Sequence, residues 1–334
     1  MANPRTIRMA QYGTKHGHAD GVLGVMLANP DLEVAGLYEP DANRRRKLES
    51  SGRAPWSQVH WLDDKTEMLE DDSIVAISSE GSNLESLDHT EEIIAAGKHV
   101  FYDKPAGDDY PRFESIVNSA REHGLLVQLG YMFRYHDGFV RIADWARSGF
   151  LGNVFAIRAH MSTSIPPERQ DPRLAPSGGI FYDLASHMLD QVVWILGRPN
   201  KTTVFLREDV IKTDGFANNT LGVFEYDDAI AMIDIAAMEP IPTARRFEVY
   251  GSTGSAIMQP MEPAGTLRLT LTESRGQYPA GVSIIDLEPR PRYVASLEAF
   301  IKDIRGEKKP DRSLDHELLV QETLLRATGH IPGG

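Results

Sequence analysis

Residues 6–41, TIRMAQYGTKHGHADGVLGVMLANPDLEVAGLYEPD, show the strand–turn–helix–strand pattern from which the architecture follows. Two strand-like runs, TIRMAQYG and LEVAGLYE, flank a glycine-containing turn, QYGTKHGHADG, that leads into a helix. Further strand-like runs follow at VHWL, SIVAISS, KHVFYD and LLVQLGYM. Between most of them lie amphipathic stretches such as DANRRRKLES, HTEEIIAAG and YPRFESIVNSAREHG, several ending in Gly as helix C-termini do. Strand and helix alternating at this spacing imply a parallel sheet with helices on both faces, with ligands held at the carboxyl ends of the strands.

Beyond residue 130 the pattern changes. A helix is expected near 137–148, then a strand NVFAIRAHMS, a proline-rich loop, and a long apolar helix, GGIFYDLASHMLDQVVWILG, at 178–197. The runs KTTVFLRED, NTLGVFEY, AIAMIDIAAM, RRFEVYGS, GSAIMQPM and TLRLTLTES are joined by short turns, which predicts a large, mostly antiparallel open sheet. Two helices, VASLEAFIKDIRG and DHELLVQETLLRATG, close the chain. The expected organisation is therefore an α/β chain with one domain at 1–130 and an α+β domain at 131–334.

A length of 334 residues accommodates two such domains, and a formal net charge of -13 argues against nucleic acid and anionic membranes as partners. There is no cysteine, which excludes disulfides, thiolate metal sites and Cys nucleophiles. The N-terminus has no signal-like apolar stretch and no run approaches the length of a membrane span, so a soluble cytoplasmic protein is expected.

Three places carry chemistry. The turn after the first strand suits a pyrophosphate through its backbone N–H groups, although the spacing Gly13, Gly17, Gly21 is not G-x-G-x-x-G and a structural turn is about as good a reading. Glu39 ends the second strand, where a carboxylate hydrogen-bonds ribose hydroxyls and repels a 2′-phosphate; that favours NAD, while Arg44 or Arg45 would favour NADP. Lys104 ends another strand immediately before Pro105, placed to orient a hydroxyl, with an ordinary surface lysine as the alternative. Finally, Asp183, His187 and Asp190 share one face of the 178–197 helix, with Phe181, Leu184, Met188, Val192 and Ile195 on the other.

In this order, AAGKHVFYDKP, GYMFRYHDGF, SGFLGNV, SGGIFYDLASHMLDQVVWILGRP, VYGSTGSA and DHELLVQETLLRATG resemble the family of glucose–fructose oxidoreductase and inositol dehydrogenase (Gfo/Idh/MocA), over about residues 5–330. The resemblance implies an N-terminal Rossmann domain that binds NAD or NADP. It also implies a C-terminal substrate domain whose open sheet usually forms a homodimer or homotetramer. The family's Glu-Lys-Pro motif falls on Asp103-Lys104-Pro105, and its helix motif on Gly178, Gly179, Asp183 and His187. It implies catalytic roles for Lys104, Asp183 and His187 and places cofactor contacts at Gly13, Thr14, Lys15, His16, Glu39, Ser79, Asp103 and Lys104. Substrate contacts fall on Arg134, Tyr135, Asp183 and His187, with a salt bridge between the domains as the equal alternative for Arg134. Two departures stand out: with His18-Ala19 aligned to the family's His-Ala, its glycine positions become Ala10, Tyr12 and Lys15, and Asp103 replaces Glu.

The expected reaction is hydride transfer between nicotinamide and a secondary alcohol of a sugar, inositol or related polyol. His187 is the general base, Lys104 orients the hydroxyl, and Asp183 binds a neighbouring hydroxyl. The alternatives are an NAD-dependent glycosidase or lyase working by transient oxidation, and a non-catalytic dinucleotide or sugar sensor. His16, His18 and Asp20 resemble a metal cluster in spacing, but no third ligand motif accompanies them, so no metal is expected. The loop HMSTSIPPERQDPRLAPSGG, with Arg169 and Arg173, is expected to cover the substrate and help set specificity, with a plain surface connection as the alternative.

Overall fold

The computed structural model describes residues 6–173, 175 and 177–332. They form two compact units: residues up to Gly130 together with Pro291–Leu318, and Tyr131–Arg290 together with the segment from Leu319.

The first unit contains β1 (Ile7–Tyr12), α1 (Ala19–Ala28), β2 (Leu32–Tyr38), α2 (Ala42–Glu49), α3 (Thr66–Leu69), β3 (Ala76–Ser79), α4 (Ser86–Ala95), β4 (His99–Tyr102), α5 (Tyr110–Glu122) and β5 (Val127–Leu129). Its five strands are parallel in the order β2-β1-β3-β4-β5, the Rossmann arrangement. Helix starts are capped locally: Asp41 accepts from the Asn43 and Arg44 backbone N–H groups, and Asp109 from that of Arg112. The strand expected at VHWL is only a bridge between Leu37 and Trp61. Its apolar residues pack instead: Trp61 joins Leu23 and Leu37, with Leu27, Leu48 and Trp56 around them.

The second unit contains α6 (Asp137–Arg147), β6 (Val154–His160), α7 (Ile180–Leu196), β7 (Lys201–Arg207), β8 (Asn219–Glu225), β9 (Ile230–Ala236), β10 (Arg246–Gly251), β11 (Gly254–Met258), β12 (Thr266–Leu271) and β13 (Gly281–Asp286). The eight strands run β13-β12-β11-β10-β6-β9-β8-β7, antiparallel except for β6 with β9. One face, with Ile157, Ala159, Phe224, Ile233, Phe247 and Leu269, is buried. The sequence reading does not anticipate β13; it is an edge strand exposed or half-buried throughout, so it lacks the apolar alternation of a covered strand.

The chain ends with α8 (Val294–Ile304) and α9 (Leu314–Ala327). A single boundary at 130 does not describe α8, which packs in the first unit. Its Phe300 ring meets Phe101 edge-on at 5.8 Å, the Ser296 carbonyl accepts from Gln128, and Arg305 pairs with Asp31 at 2.9 Å. These partners are spread over β4, β5 and the α1–β2 turn, a pairing no local pattern announces. No helix among the described residues is long and apolar enough to cross a membrane.

Candidate functional site

In the first unit, most of the expected cofactor residues gather at the carboxyl ends of the strands. Residues 13–18 form the turn between β1 and α1. Gly13 sits at φ +86°, and a Cβ there would lie 3.0–3.1 Å from the Glu80–Gly81 backbone, so glycine is required by both conformation and space. Thr14 donates its hydroxyl to Glu39 Oε2 at 2.6 Å, while Glu39 Oε1 accepts the Asp41 N–H. The Arg44 guanidinium reaches the same place, donating to Thr14 Oγ1 and Thr14 O at 2.6 Å each. Arg45 turns elsewhere, to the Leu62 carbonyl and Asp63. A buried carboxylate at the end of β2, beside a glycine-only turn and a helix start, fits the nucleoside and pyrophosphate of a dinucleotide.

Of the three positions where the family carries glycine, Ala10 and Tyr12 lie within β1, and the Tyr12 side chain leaves the turn. Its hydroxyl donates to Glu92 and its ring stacks on His89 at 3.8 Å. Burial pulls the His89 imidazole down to about 4, so it is neutral at physiological pH. Lys15 is occupied by Glu85 at 2.6 Å. Ser79, buried at the end of β3, accepts from the Thr90 hydroxyl.

The Lys104–Pro105 peptide is cis. Lys104 is only 2% exposed, not the surface lysine of the alternative reading, and its backbone N–H donates to Asp103 Oδ1 at 2.7 Å. Asp103 faces two imidazoles, His16 Nδ1 at 2.9 Å and His18 Nδ1 at 3.1 Å. Burial pushes the Asp103 carboxyl up, but the two histidines outweigh it and hold it well below the usual range. Glu80, fully buried after β3, is driven the other way by burial and by the Asp103 charge. Asp20, grouped with the histidines by spacing, is exposed and accepts the Gly21 N–H. Glu80 is the group that sequence reasoning missed; its one signal is a carboxylate immediately after a strand.

In the second unit, α7 is entered through Gly178 and Gly179. A Cβ on Gly179 (φ +52°) would lie 2.2 Å from the Ala217 carbonyl oxygen, which accepts the Ile180 N–H instead. That close approach explains Gly179, while a Cβ on Gly178 would lie 2.5 Å from Thr328 Cγ2. Asp183 is half-buried, His187 and Asp190 fully buried. The His187 ring meets Phe133 edge-on at 5.6 Å and Tyr131 at 6.3 Å. Arg134 directs its guanidinium onto Asp190, Nη2 to Oδ1 at 2.7 Å, and Gln191 donates to the other carboxylate oxygen. Asp190 therefore has a structural partner, and Arg134 is engaged within this unit. Tyr135 is half-buried. In the proline-rich loop Arg173 pairs with Asp171 at 2.6 Å; Leu174 and Pro176 lie outside the described residues.

A Rossmann unit with a buried Asp-Lys-Pro after β4, and a helix bearing Asp and His in a mostly antiparallel α/β unit, is the build of a nicotinamide-dependent oxidoreductase. Residues 12–131 match the oxidoreductase family with an NAD-binding Rossmann fold, and residues 139–257 match the GFO/IDH/MocA C-terminal domain. The chain belongs to the Gfo/Idh/MocA family of oxidoreductases. Over 326 residues, 96% of this chain and 83% of the relative, it is 25% identical to the uncharacterized oxidoreductase YdgJ of Escherichia coli. It is 24% identical to myo-inositol 2-dehydrogenase of Thermotoga maritima, with 74% of each chain covered. In fold it resembles GenD2 from gentamicin A biosynthesis, solved in complex with NAD: TM-score 0.79, 19% identity, 97% and 95% of the two chains covered.

Proposed function

We propose that this oxidoreductase moves a hydride between NAD and a secondary alcohol of a sugar, inositol or related polyol. The observation that supports this best is the burial of Lys104 and His187, two proton-transfer groups of the family's motifs, in place of the exposure usual for such side chains. The nicotinamide supplies the hydride chemistry. Residues of this chain then do the rest. The His187 imidazole takes the hydroxyl proton, the Lys104 ammonium orients the hydroxyl and stabilises its developing negative charge, and Asp183 holds a neighbouring hydroxyl. Glu39 supports NAD over NADP, because a buried carboxylate beside the adenosine ribose would meet a 2′-phosphate with like charge. The named inositol dehydrogenase and the 1,5-anhydro-D-fructose reductase of Ensifer adhaerens, 25% identical over 251 residues, support a polyhydroxylated substrate.

The second unit's open sheet face supports a homodimer or homotetramer. Cross-strand register puts Phe205, Leu221, Ile230, Met232, Val282 and Ile284 on that one face, and Phe205 and Ile284 are 53% and 62% exposed.

The test is nicotinamide absorbance with NAD or NADP and a panel of inositols and sugars, for the wild type and Lys104→Ala. Reduction of NAD in preference to NADP is expected, with turnover lowered by about 10²–10⁴-fold in the variant. Wild-type turnover in Lys104→Ala would sink the residue assignment. Retained NAD without net reduction would instead indicate transient oxidation.

A further inference from the structure

Beyond the redox reaction, we propose that His16, His18 and Asp103 form a binding site for a divalent transition-metal ion of the zinc type. Three adjacent strand ends converge here. The turn after β1 carries the histidines, β3 leads into Glu80, and β4 leads into Asp103. One ligand atom from each of His16, His18 and Asp103 lies within 4.8 Å of the others. His16 Nδ1 is 2.9 Å from Asp103 Oδ2, and His18 Nδ1 is 3.1 Å from both Asp103 oxygens. Two ligands bound to zinc at about 2.0–2.1 Å with tetrahedral angles lie about 3.3 Å apart, so the two histidine–carboxylate contacts need to open by only a few tenths of an ångström.

The chemistry of His16 points the same way. Its Nε2 lies 2.9 Å from the Lys104 carbonyl oxygen, which can only accept, so Nε2 carries a hydrogen. In the neutral ring Nδ1 then presents a lone pair, which faces Asp103 Oδ2 and accepts the His18 backbone N–H at 3.2 Å. A ring nitrogen fixed by a backbone carbonyl while the other faces the ligand cluster is the usual support of a metal-binding histidine.

A second acidic side chain lies alongside: Glu80, fully buried, has its Oε2 4.0 Å from His16 Nδ1. Imidazole nitrogens with carboxylate oxygen select zinc, cobalt, iron or manganese over magnesium or calcium, which prefer oxygen alone. Three protein ligands leave a coordination position open.

The experiment uses the tag-free full chain, stripped with a chelator and titrated with Co²⁺ without nucleotide or alcohol, so its outcome is independent of the proposed reaction. One Co²⁺ per chain is expected, with the visible d–d absorption of four- or five-coordinate cobalt, displaced by Zn²⁺ and unaffected by Mg²⁺. His18→Ala and the isosteric Asp103→Asn should each lose the bands and weaken Co²⁺ binding by more than the ~10–100-fold expected for an outer-shell partner. His123→Ala, at an exposed histidine, should leave the bands unchanged. Thermal unfolding of the wild type with and without Zn²⁺ decides the matter if the variants misfold: a rise in Tm is expected. Absence of both bands and Tm shift in the wild type, or bands that survive in His18→Ala and Asp103→Asn, overturns the site.

Discussion

Arg134 and Asp190 are within 2% and 0% side-chain exposure of being sealed from water, so neither charge is tolerable without the other. The bidentate approach of the guanidinium, with Gln191 completing the carboxylate, satisfies most of what desolvation removes. Replacing Asp190 by Asn leaves the guanidinium buried beside a neutral amide, and a loss of about 3–5 kcal/mol in unfolding free energy is expected. Chemical denaturation of the purified variant checks it; a loss below ~1 kcal/mol would mean that Arg134 finds water or another anion. By spacing alone Asp190 looks equivalent to Asp183 and His187, since all three share a helix face. Its separate role becomes visible only because Arg134, 56 residues earlier in the chain, meets it.

At the scale of elements, α7 owes its position to the two glycines before it. Gly179 lies in the left-handed region, and its missing side chain lets the Ala217 carbonyl approach the helix start. Gly179→Ala therefore combines an unfavourable φ with a 2.2 Å overlap against backbone that cannot move cheaply. A destabilisation of at least ~2–3 kcal/mol is expected, together with loss of the proposed turnover, since the proposed roles of Asp183 and His187 both rest on this helix. A Gly179→Ala chain with wild-type Tm would contradict the close approach. The same element scale explains what sequence patterning could and could not show. Helices such as α5, with a cap at Asp109 and a periodic buried face of Phe113, Ile116, Val117 and Ala120, are legible from the chain. The VHWL run and β13 are not, since short apolar or half-exposed stretches take their state from what packs on them.

For the whole molecule, the eight-stranded sheet covers one face with helices and leaves the other with a row of exposed apolar side chains from β7, β9 and β13. Soluble proteins seldom leave such a surface uncovered. If a second copy covers it, Phe205→Arg with Ile284→Arg should shift the mass measured by light scattering from oligomer to monomer, while the far-ultraviolet spectrum stays unchanged. An unaltered mass would place any interface elsewhere.

From the sequence by itself came the alternation of strand and helix, the change to antiparallel patterning near residue 130, and the family motifs, because periodicity and short motifs are local properties of the chain. The candidates Glu39, Lys104 and His187 were legible for the same reason: each stands at a strand end or on a helix face that local pattern defines. Tertiary structure alone decided that α8 packs with β4 and β5, that Asp103 and not Asp20 joins His16 and His18, and that Glu80 is buried beside them. Each of those depends on contacts between residues far apart in the chain. Such contacts form only when separate strand ends are brought side by side in the sheet, and no spacing along one segment encodes them.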